Sequence, residues 1–447
     1  MMRLQAAAGS VDLRPPVGIL MSGFGCWMEP AVGTHDPLMA RALLLDDAAV
    51  RDGSSRILLL SCDLLGFSTR MDAELRRRIA EQGGALNISP AHVFLACTHT
   101  HGAPNTLPLR GVFRQLDERW FASAVRSMID LVASLPPRLQ PATFGYGATH
   151  VDGIGHNRQD EMCPIDEQLL VAALMAEDGS PIAILVNYAT HPVILGGQNL
   201  WFTADYSGVL ARALDGMWGG TTLFIQGCSG DVNPVLYRDR GWNAGTFADS
   251  EQVGRTLAAA AVTVLHEIRP SGNCSIAIGE RGVCLPLDPP PNREELQALK
   301  TQFIADRGET ASVPITDRAK AAVYLLDWVE EFISALDSGT VPDAFHARIA
   351  AARIGPLLLL ALPFEVYSQT GIAIRQAMGA SPVLLSAYTG GVVGYVPTDA
   401  AKRQGGYGPA QSYRFFTETL TPFGFGAADV LESGCIELLQ SLMECSK

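Results

Sequence analysis

The sequence predicts an α/β protein, a single large domain of mixed β-sheets covered by helices, with its functional residues at strand C-terminal ends. Two observations carry that prediction. Short apolar runs alternate along the chain with longer segments of helical periodicity. The 44 glycines and 27 prolines gather just after the apolar runs, where open α/β sheets place ligands.

The apolar runs predict strands over Arg56–Leu64, His92–Cys97, Ile182–Tyr188, Thr222–Gln226, Ser275–Cys284, Pro356–Leu362 and Val383–Ser386, each rich in Leu, Ile, Val or Phe within a short window. The periodic segments predict helices over Met71–Gln82, Gln115–Ser134, Tyr206–Met217, Ala248–Glu267, Arg293–Ala305, Asp317–Leu336, Val366–Met378 and Ala427–Glu444. One linker stands out, Leu285–Asn292, whose three consecutive prolines fit neither a helix interior nor a central strand. The helical stretch after it, 293–340, returns to the strand pattern, so the whole chain, 1–447, reads as one catalytic domain carrying a helical insertion.

Composition excludes several classes of function. With 447 residues, 48% hydrophobic and 18% charged, the chain has the make-up of a globular protein and not of a disordered or fibrous one. Its 33 basic and 46 acidic residues leave a net charge of −13, which opposes binding to a nucleic-acid backbone. Mean hydropathy is +0.16, yet no stretch approaches the roughly 20 apolar residues of a membrane helix. Pro15 and Pro16 interrupt the N-terminus before any apolar signal core develops, and the expected compartment is the cytoplasm. The nine cysteines are scattered, odd in number and never arranged as CxxC, so they read as reduced core residues, not as a disulfide frame or zinc knuckle.

Five strand exits carry polar residues that packing does not require. The first, Cys97-Thr98-His99-Thr100-His101-Gly102, follows HVFLA. If strand geometry persists, His99 and His101 face one space. The second, Asn187-Tyr188-Ala189-Thr190-His191-Pro192, again releases a histidine from a strand into a loop. Downstream, Thr203 or Asp205 opens a helix, and a capping role for Asp205 fits as well as one supporting a ligand. The third, Gly227-Cys228-Ser229-Gly230-Asp231-Val232-Asn233-Pro234, permits a tight loop whose N–H groups face a ligand. It is not a GxSxG elbow, so Ser229 is not read as a nucleophile. In the fourth, Glu365 interrupts the apolar run PLLLLALPF, where a carboxylate needs a cap, a partner or a metal. The fifth places Tyr395 in GYVPT and Tyr407 in GGYG.

In this order, THTH, Asn157-Arg158, the second strand-end histidine, SGDVNP, LPxE and GYVPT with a tyrosine twelve residues on resemble the catalytic domain of the neutral (alkaline, non-lysosomal) ceramidases. The likeness runs from GSVDLRPPVGILMSGFG and GTHDPLMARALLL to about Ala410, nearly the whole chain. It implies one zinc ion held by His99, His191, Glu365 and Tyr395, with His101, Arg158 and Tyr407 at the scissile amide. Asn157, Ser229 and Asp231 join Arg158 and Tyr407 as expected substrate-side residues. The departures are THTHGAPNT where the family has THTHSGPGG, Gly408 after Tyr407, and only 37 residues beyond Ala410, too few for the family's immunoglobulin-like domain.

The function these features imply is a zinc amidohydrolase acting on a small-molecule or lipid-like N-acyl amide smaller or more polar than ceramide. Zinc would activate water and polarise the carbonyl, and His101 would shuttle the proton. Arg158 and Tyr407 would bind the carbonyl or a neighbouring hydroxyl. Tyr395, the weakest ligand, would also stabilise the oxyanion. An esterase or lactonase would use the same residues, and a non-catalytic binding protein would be expected to have lost some of them.

Overall fold

The computed structural model describes residues 3–24, 29–50, 55–83, 86–111, 115–241, 244–308 and 317–444. Cys26 and Cys445 lie outside them; the other seven cysteines are free thiols, five of them buried, whereas Cys163 is half-buried and Cys284 is exposed and so not a core residue. Burial raises the Cys62, Cys97, Cys228 and Cys435 thiols, as expected of inert core residues.

The architecture is a helix–sheet–sheet–helix stack. An eight-stranded sheet runs in the order Thr221–Gln226, Pro181–Tyr188, Gln168–Ala176, Gln140–His150, Leu4–Asp12, Met39–Asp47, Ile57–Cys62, Val93–Cys97. Only its two outermost pairs are parallel; the ladders between them are antiparallel. A four-stranded sheet, Ile276–Pro286, Ala344–Ile354, Leu357–Ala361 and Val383–Ser386, packs on one face of it. Helices Thr69–Gln82, Glu118–Ala133, Asp205–Met217 and Phe247–Glu267 cover the other face. Ser368–Ala377 and Ala427–Glu444 cover the outer face of the small sheet.

Strand residues show why the stack forms. In Ile57–Cys62, Leu58 and Leu60 face the helices while Ile57 and Leu59 face the second sheet, so both faces are apolar and the sequence reads as an unbroken hydrophobic run. Five long strands are not among those the sequence predicts: Leu4–Asp12, Met39–Asp47, Gln140–His150, Gln168–Ala176 and Ala344–Ile354. Four of them are built around Ala or Gly, which have low strand propensity. In Gln140–His150 the neighbours need small residues. A Cβ on Gly145 would lie 2.3 Å from the Ile268 side chain, and one on Gly147 2.7 Å from Val264, so these positions let the 247–267 helix sit close on the sheet.

The large sheet curls until its ends approach. Ser61 Oγ, near one edge, donates to the Phe224 carbonyl of the opposite edge strand at 2.5 Å. The small sheet seals the seam. Asn187 Nδ2 donates to the Leu385 carbonyl at 2.8 Å, Ala387 N to the Gln226 carbonyl at 3.0 Å, and Cys97 N to the Tyr388 carbonyl at 3.2 Å. Exits of strands far apart in the strand order therefore open on one place.

One expected boundary moves. Glu365-Val366 belongs not to the helix but to a two-residue strand paired in parallel with Tyr395-Val396, and the helix begins at Ser368. Helices Arg293–Gly308 and Asp317–Ser338 form a hairpin lying in sequence between the paired strands Ile276–Pro286 and Ala344–Ile354. The hairpin has a small core of its own, with Leu296, Phe303, Trp328 and Phe332.

Asp205 opens its helix in a left-handed conformation, φ +54°. Thr203 Oγ1 accepts from Asp205 N at 3.0 Å and Asp205 accepts from Tyr206 N at 2.6 Å, while Asp36, which the sequence did not single out, accepts from Ala204 N at 3.0 Å and from Thr203 Oγ1 at 2.6 Å. Burial raises the Asp205 carboxyl to about 7. Folding therefore retains a proton that the unfolded chain releases near pH 4, and the stability this group contributes is lost as pH rises from about 4 to 7. Asn accepts the same backbone angle and cannot ionise. Asp205→Asn is expected to gain on the order of 1 kcal/mol over the parent between pH 5 and pH 8, read from paired denaturant titrations. A pH-independent loss would refute the shift.

Candidate active site

The site is built where the sheet ends converge. Val93–Cys97 ends two residues before His99, which adopts φ +64°, a strained conformation for a non-glycine residue. His99 and His101 do share one space, but a left-handed turn brings them together, not the expected pleat alternation. The turn is held by His99 N donating to the Leu64 carbonyl at 3.0 Å and by His99 Nδ1 donating to the Leu65 carbonyl at 2.7 Å. The imidazole stacks on Tyr388, centroids 4.0 Å apart, and Tyr388 itself has φ +54°.

His191 leaves the strand Pro181–Tyr188 on the far side of the curl. Its Nδ1 donates to the Ser229 carbonyl at 2.7 Å. Both imidazoles thus carry their proton on Nδ1, leaving Nε2 as a lone pair, the tautomer that a backbone acceptor imposes on a metal ligand. The two Nε2 atoms lie 3.5 Å (His99) and 3.3 Å (His191) from Glu365 Oε2. His191 Nε2 and Glu365 Oε2 are buried without a hydrogen-bond partner. Burial lowers the His191 imidazole to about 4, so it is neutral at pH 7. Burial opposes the charge of the Glu365 carboxyl, and only a cation shared with the two imidazoles, a proton on Nε2 or a metal ion, holds it down.

His101 completes the cluster. Ligand atoms of His99, His101 and His191 all lie within 4.8 Å of one another, so this group could hold a metal ion. Neither His101 ring nitrogen has a hydrogen-bond partner, and burial lowers its pKa well below the usual imidazole value. Its ring is located by packing: Phe24 meets it edge-on at 4.8 Å, and a Cβ on Gly23, φ +115°, would fall 2.4 Å from its Cγ.

Tyr395 stands beside Glu365 through the parallel pairing, and its hydroxyl accepts from Arg158 Nη2 at 3.0 Å. Arg158 is anchored by Nη2 donating to the Gly230 carbonyl at 2.7 Å, and its guanidinium lies 5.4 Å from the Tyr395 ring centroid and 6.0 Å from that of Tyr407. Tyr407 sits at the mouth, 45% exposed. The SGDVNP loop pairs with the Asn157 strand. Asn157 Nδ2 donates to Asp231 at 2.7 Å, and Asp231 also accepts from Ser368 N. Ser229 is fully buried against Gln226 and Tyr388. Asn157, Ser229 and Asp231 therefore hold the loop from behind, whereas Arg158 and Tyr407 line the cavity.

That cavity measures about 950 Å³, the size of a site for a drug-sized ligand. Its lining gathers Leu107, Leu109, Phe415 and Phe416 from two bridged segments, and it also includes Phe24, Leu65, Gln159, Asn233, Gln404 and Tyr407. Of these residues sequence reasoning singled out only Tyr407 and Asn233. Tyr388, the ring under His99, was also missed, though a polar aromatic between a strand end and Gly390-Gly391 is a legible signal.

Among the described residues no helix is long and apolar enough to cross a membrane. No protein-family model matches the sequence. A crystal structure of neutral ceramidase from Pseudomonas aeruginosa is similar to this chain at TM-score 0.72 and 18% identity, over 100% of this chain and 75% of that one. A ceramidase complexed with C2 is similar at TM-score 0.71 and 17% identity, over 100% of this chain and 76% of that one. The likeness that the ordered motifs carry thus extends to the architecture, and this chain has, along its whole length, the fold of those ceramidases.

Proposed function

We propose that the protein is a zinc-dependent hydrolase of linear carboxamide bonds in N-acyl compounds. The observation that carries this reading is the convergence of His99 Nε2, His191 Nε2 and Glu365 Oε2, with both imidazole tautomers set by backbone carbonyls. Two imidazoles and one carboxylate suit zinc, whereas magnesium and calcium prefer oxygen cages. When bound, zinc supplies an acidified water as nucleophile and polarises the scissile carbonyl.

The protein's own groups do the rest. His101, neutral and without a competing partner, takes the proton from the attacking water and returns it to the leaving amine. Burial raises the Tyr395 phenol, so it stays protonated and donates to the oxyanion, with Arg158 behind it. Tyr407 closes on the substrate from the mouth.

The lining combines an apolar wall of Leu107, Leu109, Phe415 and Phe416 with polar groups such as Gln159, Asn233 and Gln404, which suits an acyl chain joined to a polar amine. Ceramide brings two long chains, so a single-chain N-acyl amide is the better substrate. Elemental analysis should find about one zinc per chain, with activity lost on chelation and restored by zinc. A panel of N-acyl amides, ceramide, esters and lactones then ranks the substrates. Full activity in metal-free protein overturns the zinc mechanism; esters or lactones faster than every amide overturn the bond class, and ceramide ahead of every single-chain amide overturns the substrate assignment.

A further inference from the structure

We propose that the helical hairpin Arg293–Gly308 and Asp317–Ser338 sets the reach of the cavity along its apolar wall and so selects acyl length, with Tyr324 as the specificity-determining residue acting through Phe415. The proposal rests on the reading above only in assigning an acyl chain to that wall.

No described hairpin residue lines the cavity, yet the hairpin backs the wall. The Tyr324 ring stacks on Phe415 with centroids 3.8 Å apart and an interplanar angle of 25°. Phe415 lines the cavity and meets Tyr407 edge-on at 6.2 Å; Tyr407 meets Tyr395 at 5.8 Å, and Tyr395 meets Phe416 at 6.1 Å. An aromatic file therefore runs from the second hairpin helix to the phenol proposed to receive the oxyanion.

The same helix fixes the backbones of both wall loops. Trp328 Nε1 donates to the Leu420 carbonyl at 2.9 Å, and Asp327 accepts from Gly111 N at 2.9 Å. Arg110 joins the loops to each other: its N–H donates to the Phe415 carbonyl at 2.7 Å while its Nε donates to Glu331 at 2.8 Å. Leu109 and Phe416 pair as an isolated bridge between these loops. Both loops are short of regular structure, so the position of the apolar wall depends on what stands behind it. Tyr324 is the hairpin side chain stacked directly on a wall residue. Removing its ring lets Phe415 recede without touching the histidines.

Calorimetric titration of the purified protein with saturated fatty acids from butanoate to dodecanoate reads the wall without turnover. In the parent, affinity should rise about fourfold per methylene and stop rising at the length that meets Phe415. In Tyr324→Ala the rise should continue for at least one further methylene, a gain of about fourfold confined to the longer acids, with short-chain affinity unchanged. Tyr324→Phe, which keeps the stack, should show the parent's limit. Tyr324→Leu serves if alanine unfolds the hairpin by circular dichroism. The same length limit in folded Tyr324→Ala or Tyr324→Leu as in the parent overturns the proposal, as does a parent that binds no fatty acid. A shifted limit in a protein that hydrolyses no N-acyl compound leaves the wall assignment standing and removes the hydrolase reading.

Discussion

Replacing His99 by alanine is expected to remove zinc and activity together, whereas replacing His101 by alanine leaves the ion bound and slows hydrolysis by about 10²–10⁴-fold. The two histidines are only two positions apart, but their surroundings differ. His99 has its Nδ1 committed to the Leu65 carbonyl and its Nε2 aimed at Glu365. His101 has neither nitrogen committed, and packing against Phe24 holds its ring. The His101→Ala enzyme should also lose one limb of its pH–rate profile, because the group that titrates there is gone. Zinc content and rate are measured on the same preparations. Loss of zinc from both variants would make His101 a third imidazole ligand, and retention in both would leave the cluster structural.

Arg110→Met is expected to destabilise the fold by about 3–5 kcal/mol. The Arg110 guanidinium is 1% exposed and donates to Glu331, to the Tyr413 carbonyl at 3.1 Å, to the Phe416 carbonyl, and to the Thr419 carbonyl at 3.2 Å. Methionine preserves much of the stem's volume but no donor, so buried carbonyls lose a charged partner, which costs more than the net strength of the hydrogen bonds removed. Urea titration with an unchanged m-value checks it. A loss under about 1 kcal/mol would mean that water substitutes for the guanidinium.

The apolar runs were the most legible part of the fold. Ile57–Cys62, Val93–Cys97, Thr221–Gln226 and Val383–Ser386 are buried on both faces, and continuous hydrophobicity in a short window is a local signal. Strands such as Gln140–His150, with Gly145 and Gly147, were illegible because their small residues answer to a helix more than a hundred residues away. The candidate site divides in the same way. His99, His191, Glu365 and Tyr395 were visible as polar residues at strand exits. The apolar wall was not, because Leu107, Leu109, Phe415 and Phe416 look like any core residue until two loops and a hairpin place them together.

By itself, the sequence determined an α/β chain, its chemistry-bearing side chains and their attachment to strand ends, since each of these is written within a few neighbouring residues. The tertiary structure decided the rest. The curl of the eight-stranded sheet and the strand that seals its seam bring exits 92 and 174 positions apart along the chain, those of His99, His191 and Glu365, within 3.5 Å of one carboxylate oxygen. The left-handed turn at His99, the tautomers of both imidazoles and the depth of the cavity follow from that closure. Each depends on a backbone carbonyl or ring supplied by a distant segment, and no local window of sequence contains it.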